Sequence, residues 1–351
     1  MKLRSTHLGT ALAALALAAP LAACGSTTGT GAASGSSGAQ SSDGDYTIVT
    51  VSKVEGIPWF ERMNEGVEQF GADNSDVTTR QTGPSTGDAA QQIQIVQDLI
   101  AQQVDAIVVV PNDPQSIAPV LKQARDKGIV VITHEAPALA GTDSVDYDLE
   151  AFDNTEFGEQ MFEALAKAMN GTGKYATMVA SLTNETHMAW YNAGVEYLKA
   201  NYPDMEAVTD TPYEDNNDDA QAQSKALEIL KAHPDIKGFA GMSVSAGSNF
   251  AAMLKDKNLS DIAVSTLSVP SISDGYLADG WMDNAQGWDP MAAGYAANAL
   301  AFKLLKGEDV GSTVDLGTDG YETATVADGL VTGSGIITFA SDSNSSGQYP
   351  Y

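Results

Sequence analysis

From residue 46 onward, short apolar runs alternate with longer amphipathic ones, and the alternation occurs in two successive blocks. In the first block, runs at 47–51, 77–81, 106–110 and 130–133 predict strands. The stretches between them, 59–71, 88–103 and 114–127, predict helices. Within 88–103, Ile93, Val96, Leu99 and Ile100 recur at three- and four-residue spacing, the mark of a core-facing helical stripe. Strands that are apolar throughout need cover on both faces, which β-α-β alternation supplies through crossover helices on a parallel sheet. In the second block, strands are expected at 175–180, 207–211, 238–241 and 263–266, and helices at 185–201, 219–232 and 246–255. A further helix, 290–306, precedes a polar tail with one apolar run at 335–339. The expected fold class is α/β: two Rossmann-like lobes with parallel sheets, joined by a hinge.

What precedes residue 46 is of another kind. Met1-Lys2-Leu3-Arg4 is positive, and residues 8–21, mostly Ala, Leu and Gly, are too short for a membrane span of about 20 residues. They close on Leu21-Ala22-Ala23-Cys24, and Cys24 is the only cysteine in the chain. This resembles a bacterial lipoprotein signal: residues 1–23 would be removed and Cys24 would carry lipid. Residues 24–45, rich in Gly, Ser, Ala and Thr, cannot offset their ordering entropy by burial and read as a flexible tether. With Cys24 lipidated, neither a disulfide nor a thiolate metal site remains.

The formal charge of −28, from 46 acidic against 18 basic residues, excludes the clustered Lys and Arg that nucleic acid requires. It also disfavours anionic ligands, so a neutral one is expected. No G-x-S-x-G, H-E-x-x-H or G-x-x-x-x-G-K occurs, and no cofactor or metal is expected. The pattern Asp215-x-Asn217-x-Asp219-x-Gln221-x-Gln223 alternates oxygen ligands like a calcium loop. A calcium loop wants Gly at its sixth position and Glu at its twelfth; here they are Ala220 and Ala226. The loop reads instead as an acidic turn in which Asp219 caps the next helix.

In open α/β sheets the ligand lies beyond the carboxyl ends of the strands, so the residues just past each run carry the function. Lys53 follows the first strand as a donor, and Pro58 opens a helix whose Trp59-Phe60 pair offers one ring to the core and one flat apolar plate to a ligand. Asp113 precedes Pro114 as a helix cap. His134-Glu135 closes the fourth strand. A general acid/base pair would also need a nucleophile or a metal, whereas a carboxylate beside an imidazole can accept from and donate to vicinal hydroxyls. In the second block the strand-end candidates are Asn184, Thr186 and His187, one of them only a cap, then Met242 and Ser243, then Trp288 and Asp289.

The stretches "GIPWFERMNEGVEQF", "IVQDLIAQQVDAIVVVPNDPQSIAPVLKQARDKGIVVITHEA" and "QGWDPMAAGYAANALAFKLLKGE" make the chain after the tether resemble the type I periplasmic solute-binding proteins that feed sugar ABC transporters. Its tail, "GLVTGSGIITFASDSNSSGQYPY", is similar to the subgroup that includes binders of rhamnose and autoinducer-2 and extends past ribose-type members. The resemblance implies a monomeric receptor that closes around a small neutral sugar, deoxysugar or polyol and docks on a membrane permease. It implies a first lobe of 46–149 plus about 289–319, and a second of 150–288 plus about 320–351. It also places Trp59 and Phe60 at sugar-stacking positions, Glu135 at a carboxylate that is usually Asp, and Lys53 at a ligand-contacting lysine. Met242-Ser243, Thr186-His187 and Trp288 depart from the ribose and autoinducer-2 patterns, which points to a different ligand held by more aromatic surface. If His134 and His187 accept hydrogen bonds when neutral, binding should weaken as pH falls through the imidazole range. Two rival readings are a secreted hydrolase pairing Glu135 with Asp153 or Asp289, and the effector domain of a repressor; the lipoprotein-like start and the missing DNA-binding segment oppose the second.

Overall fold

The computed structural model describes residues 46–339. The signal segment, Cys24, the tether and residues 340–351 lie outside the described residues.

The first block builds β1 (Tyr46–Val51), α1 (Pro58–Asp73), β2 (Val77–Thr82), α2 (Ala89–Gln102), β3 (Ala106–Val109), α3 (Pro114–Asp126), β4 (Val130–His134) and β5 (Tyr147–Glu150). The second builds α4 (Asn154–Ala168), β6 (Gly173–Val179), α5 (Glu185–Asn201), β7 (Met205–Ala207), β8 (Tyr213–Glu214), α6 (Asp219–Ala232), β9 (Ile236–Gly241), α7 (Val244–Lys257), β10 (Ala263–Leu267), α8 (Pro270–Ala278) and β11 (Asn284–Gly287). The chain then returns with α9 (Pro290–Leu305), β12 (Thr313–Val314), β13 (Ala324–Ala327) and β14 (Leu330–Thr332), and crosses again to β15 (Ile337–Phe339).

Among the described residues the strands form two sheets. One is eight-stranded, in the order β12-β13-β14-β5-β4-β3-β1-β2; the other is seven-stranded, β15-β11-β10-β9-β6-β7, with β8 also on β6. The central strands are parallel. Every residue of β3 is buried, as an apolar strand covered on both faces requires. α9 lies against α1 so closely that a Cβ at Gly66 would meet Met291 O at 1.9 Å; only glycine permits that approach.

The sheets exchange chain at 151–153, 288–289 and 333–336. The last crossing corrects the expectation that the tail joins the second lobe from about residue 320. β13 and β14 form a hairpin, and β14 pairs in parallel with β5 of the first sheet, Val331 opposite Leu149. α4 was not anticipated, although Phe157, Met161, Phe162 and Leu165 recur at helical spacing. β11 had no apolar signal: it is a buried strand reading Asn-Ala-Gln-Gly, in which Asn284 donates to Ser265 Oγ and Gln286 donates to Phe157 O. The strand expected over 207–211 ends at Ala207, and the chain turns through Thr209, whose hydroxyl donates to Thr211 O.

Candidate functional site

The carboxyl ends of β1, β4, β9 and β11 converge between the two sheets. Lys53, Ile57, Trp59, Phe60 and Glu135 face His187, Asn217, Ser243, Val244, Ser245, Leu267 and Trp288 across a narrow cleft with about 30 Å³ of free volume. A Cβ at Gly87, on the first lobe, would stand 3.0 Å from Asn216 O on the second, so the two lobes meet near the cleft.

The first wall is organised around Glu135. Its backbone takes the left-handed conformation, φ 61°, uncommon for a residue with a side chain and sustained only where neighbours over-determine it. They do so here: Asp148 accepts from Thr133 Oγ1 at 2.6 Å and from Ala136 N at 3.1 Å, pinning the chain on both sides. Thr186 Oγ1 donates to Glu135 O at 2.8 Å from the second lobe. The carboxylate so aimed forms a buried ion pair with Lys53, whose own carbonyl accepts from Asn112 Nδ2. Lys53 and Glu135 are 3% and 5% exposed, so their charges cancel inside the cleft.

The aromatic surface forms a corner. Trp59 and Trp288 meet edge to face, centroids 4.4 Å apart at 77°, and Phe152 sets Trp288 from behind at 5.1 Å. Trp288 Nε1 is buried without a hydrogen-bond partner among the described residues, which leaves a donor in the wall.

On the second wall, His187 Nδ1 accepts the Ala180 N–H at 3.1 Å. The neutral ring therefore carries its proton on Nε2, and His187 can only donate. Burial, and then the charge of Lys53, hold its pKa well below the ordinary imidazole value. This overturns the expected pH effect at His187, because its acceptor nitrogen is occupied and the ring stays neutral. Ser243 caps α7, accepting from Ala246 N at 2.9 Å and donating to the buried Asp215.

Several expected contacts go elsewhere. His134 is 1% exposed and does not line the cleft; its Nδ1 donates to Leu149 O at 2.6 Å, while Nε2 lies 3.8 Å from Glu135 Oε1. Asn184 caps α5 through the His187 N–H. Thr186 is engaged by Glu135 O, and Met242 is a fully buried core residue. Asp289 caps α9 and takes a two-pronged contact from Arg62, at 2.9 and 2.7 Å, facing a separate cavity beside Tyr321. Asp153 caps α4, and Asp113 caps α3 as expected. Asp218, and not Asp219, caps α6. Asp215 turns inward, and among the described residues no group of three or more His, Cys, Asp or Glu could hold a metal.

Ile57, Asn217, Val244, Ser245 and Leu267 escaped the sequence reading. Asn217 alone left a signal: consecutive asparagines before a helix favour left-handed backbone, and Asn216 and Asn217 adopt it at φ 54° and 53°.

Residues 48–309, which carry both walls of this cleft, match the family model of the periplasmic binding protein domain. The chain belongs to that family. Among its relatives is the xylitol-binding protein of Mycolicibacterium smegmatis, 26% identical over 316 residues that span 87% of this chain and 82% of that one. Two solved structures share the periplasmic-binding fold at 21% identity. An ABC transporter solute binding protein from Clostridium phytofermentas with bound L-rhamnose has a TM-score of 0.79, covering 88% of this chain and 99% of its own. LsrB from Clostridium saccharobutylicum in complex with AI-2 has a TM-score of 0.78, covering 85% and 98%.

Proposed function

We propose that this protein is the extracytoplasmic receptor of a sugar ABC importer, closing around one small neutral sugar, deoxysugar or polyol. The observation that carries this reading is the cleft's chemistry. Among the described residues its only cation and only carboxylate, Lys53 and Glu135, neutralise each other, and uncharged donors, acceptors and indole edges surround them. Such a wall matches vicinal hydroxyls and C–H faces and gives no excess charge to an ionic ligand. The family membership and the xylitol-binding relative support the same class. Closure is a population shift driven by contacts that exist only when both walls touch the ligand. Thr186 on Glu135 O, and Glu185 on Ala138 N at 2.9 Å, already join the two lobes beside the cleft.

The reading is of a binding protein and not an enzyme. Glu135 is held by Lys53, and Asp153 and Asp289, the carboxylates a hydrolase would pair with it, are helix caps, Asp289 also gripped by Arg62. In the cell the chain would act as a monomer, held to the membrane by lipid on Cys24 and delivering its ligand to a permease.

Thermal-shift and calorimetric titration against xylitol, D-ribose, D-arabinose, L-rhamnose and autoinducer-2 tests the proposal. Saturable one-to-one binding with unchanged ligand recovered afterwards is expected. Product formation from any of these, or stabilisation by none, would overturn it.

A further inference from the structure

Asp215 closes β8's loop on the second lobe, is fully buried, and does not line the cleft. Its two oxygens reach two of the polar residues that do. Oδ2 accepts the Ser243 hydroxyl, and Oδ1 accepts the Asn217 N–H at 2.9 Å, which holds Asn217 in its left-handed turn at the wall. The consequence lies in the valence of Ser243. A hydroxyl has one proton and two lone pairs. The proton goes to Asp215 and one lone pair takes the Ala246 N–H, so a single acceptor position remains for the cleft. A protonated Asp215 reverses this: its O–H donates to Ser243 Oγ, both lone pairs are filled, and the hydroxyl proton is released to a ligand.

We propose that Asp215 is a positioning residue that sets the hydrogen-bonding sense of the second wall: ionised, it makes Ser243 an acceptor for a ligand hydroxyl, and protonated, it makes Ser243 a donor. The inference rests on the receptor reading above. Burial pushes the Asp215 carboxyl up to about 7, with smaller contributions from Asp219 and Asp218, so the exchange falls in the neutral range. The other titratable groups are Glu214, next to it in the chain, and those that line the cleft and the adjoining groove: His187 from α5, and Lys53, Glu55 and Glu135 from the first lobe. His187 stays neutral there, and Lys53 is engaged by Glu135. The ionised arrangement binds a donating hydroxyl more tightly, because a carboxylate behind a hydroxyl strengthens it as an acceptor.

Titration calorimetry with xylitol, then D-ribose, D-arabinose and L-rhamnose, at about pH 8.5 and about pH 5.5 reads the effect. The wild type should lose roughly tenfold in affinity at the lower pH, the scale of one charge-assisted hydrogen bond. Asp215→Asn cannot ionise and its amide donates to Ser243 as the protonated acid would. Its affinity should match the low-pH wild type and not vary with pH. Ser243→Ala, with its folding checked by melting temperature, should also be flat, and serves if Asp215→Asn does not fold. A wild type that binds with no pH slope, or a slope that survives in either variant, overturns the assignment. Failure of every sugar and polyol to bind the wild type at either pH would instead overturn the receptor reading on which it rests.

Discussion

The two walls of the cleft solve one problem by different means. The first is built on charge: a buried Lys53–Glu135 pair, sited by strand ends and braced by Asp148 beneath a left-handed backbone. The second is uncharged and built on helix starts: Asn184 and Ser243 are caps, and His187 lies in the first turn of α5. A buried carboxyl stands behind each wall, Asp148 with Glu150 behind the first and Asp215 behind the second. The first wall's strength therefore depends on charge balance, and the second's on the backbone N–H groups that helices leave unpaired at their N-termini. That difference predicts how each should fail.

The largest effect belongs to the first wall. Lys53→Met or Glu135→Gln alone strands one buried charge, and each should cost about 3–5 kcal/mol of stability and abolish detectable ligand binding. The double variant removes both charges and should melt closer to the wild type than either single variant, still without binding. Denaturant titration of all four proteins checks this. A loss in the double variant equal to the sum of the two single losses would show that the pair is not electrostatically coupled.

A smaller effect separates closure from folding. Thr186→Val removes the hydroxyl that crosses from the second lobe to Glu135 O. One hydrogen bond is worth about 1 kcal/mol net, so affinity should fall roughly fivefold. The melting temperature without ligand should move less than that with ligand. An equal shift in both would place the bond in folding and not in closure.

The acid pair behind the first wall gives a pH signature. Glu150 and Asp148 are two apart on β5, both buried, and Glu150 also accepts from Asn154 Nδ2 at 2.9 Å. Burial first, and then the neighbouring Asp148 carboxylate, raise the Glu150 pKa well above the ordinary range. The folded state thus keeps a proton that the unfolded chain releases from about pH 4.5 upward. This contribution to stability is full below that value and is lost as pH rises toward the folded value. Melting temperature against pH should fall less steeply across that window in Glu150→Gln than in the wild type, since an amide has no proton to release. Parallel curves would remove the pair from the account.

How legible each wall was follows from the same difference. Lys53, Trp59, Phe60 and Glu135 stand within a few residues of apolar strands, so the end of each run pointed to them, and all four line the cleft. α5 and α6 run over the residues read from their caps and periodicity, Glu185–Asn201 and Asp219–Ala232. Yet a cap residue looks the same in sequence whether or not a ligand stands before it. Asn184 and Thr186 were therefore read as contacts although their side chains are engaged by backbone, and Asn217 and Ser245 were passed over. His134 misled for a related reason: it is the last residue of β4 and its ring donates to Leu149 O of β5, whereas Glu135 leaves the strand in a left-handed turn that aims its carboxylate at Lys53. β11 was invisible because side-chain hydrogen bonds hold it and leave no periodic signal. The β13–β14 hairpin did leave a signal, the Asp328-Gly329 turn between two short β-prone runs, which the sequence reading passed over.

The smallest effect tests the contrast most directly, through two helix caps. Asp113 accepts from Gln115 N at 3.0 Å and Ser116 N at 3.2 Å at the head of α3, away from the cleft lining. Asn184 accepts from the His187 N–H at 3.1 Å, so the cap that starts α5 also holds a residue of the second wall. Replacing either by Ala should cost about 1 kcal/mol of stability, the usual value of a cap. Affinity should separate them. Asp113→Ala should bind as the wild type does, because α3 brings nothing to the cleft. Asn184→Ala frees the first turn of α5, loosens the Nδ1 bond that fixes the His187 tautomer, and should weaken binding several-fold at equal stability loss. Calorimetry on the two variants, compared at matched melting temperatures, decides it. Equal affinities would mean that the helix starts merely border the second wall and do not build it.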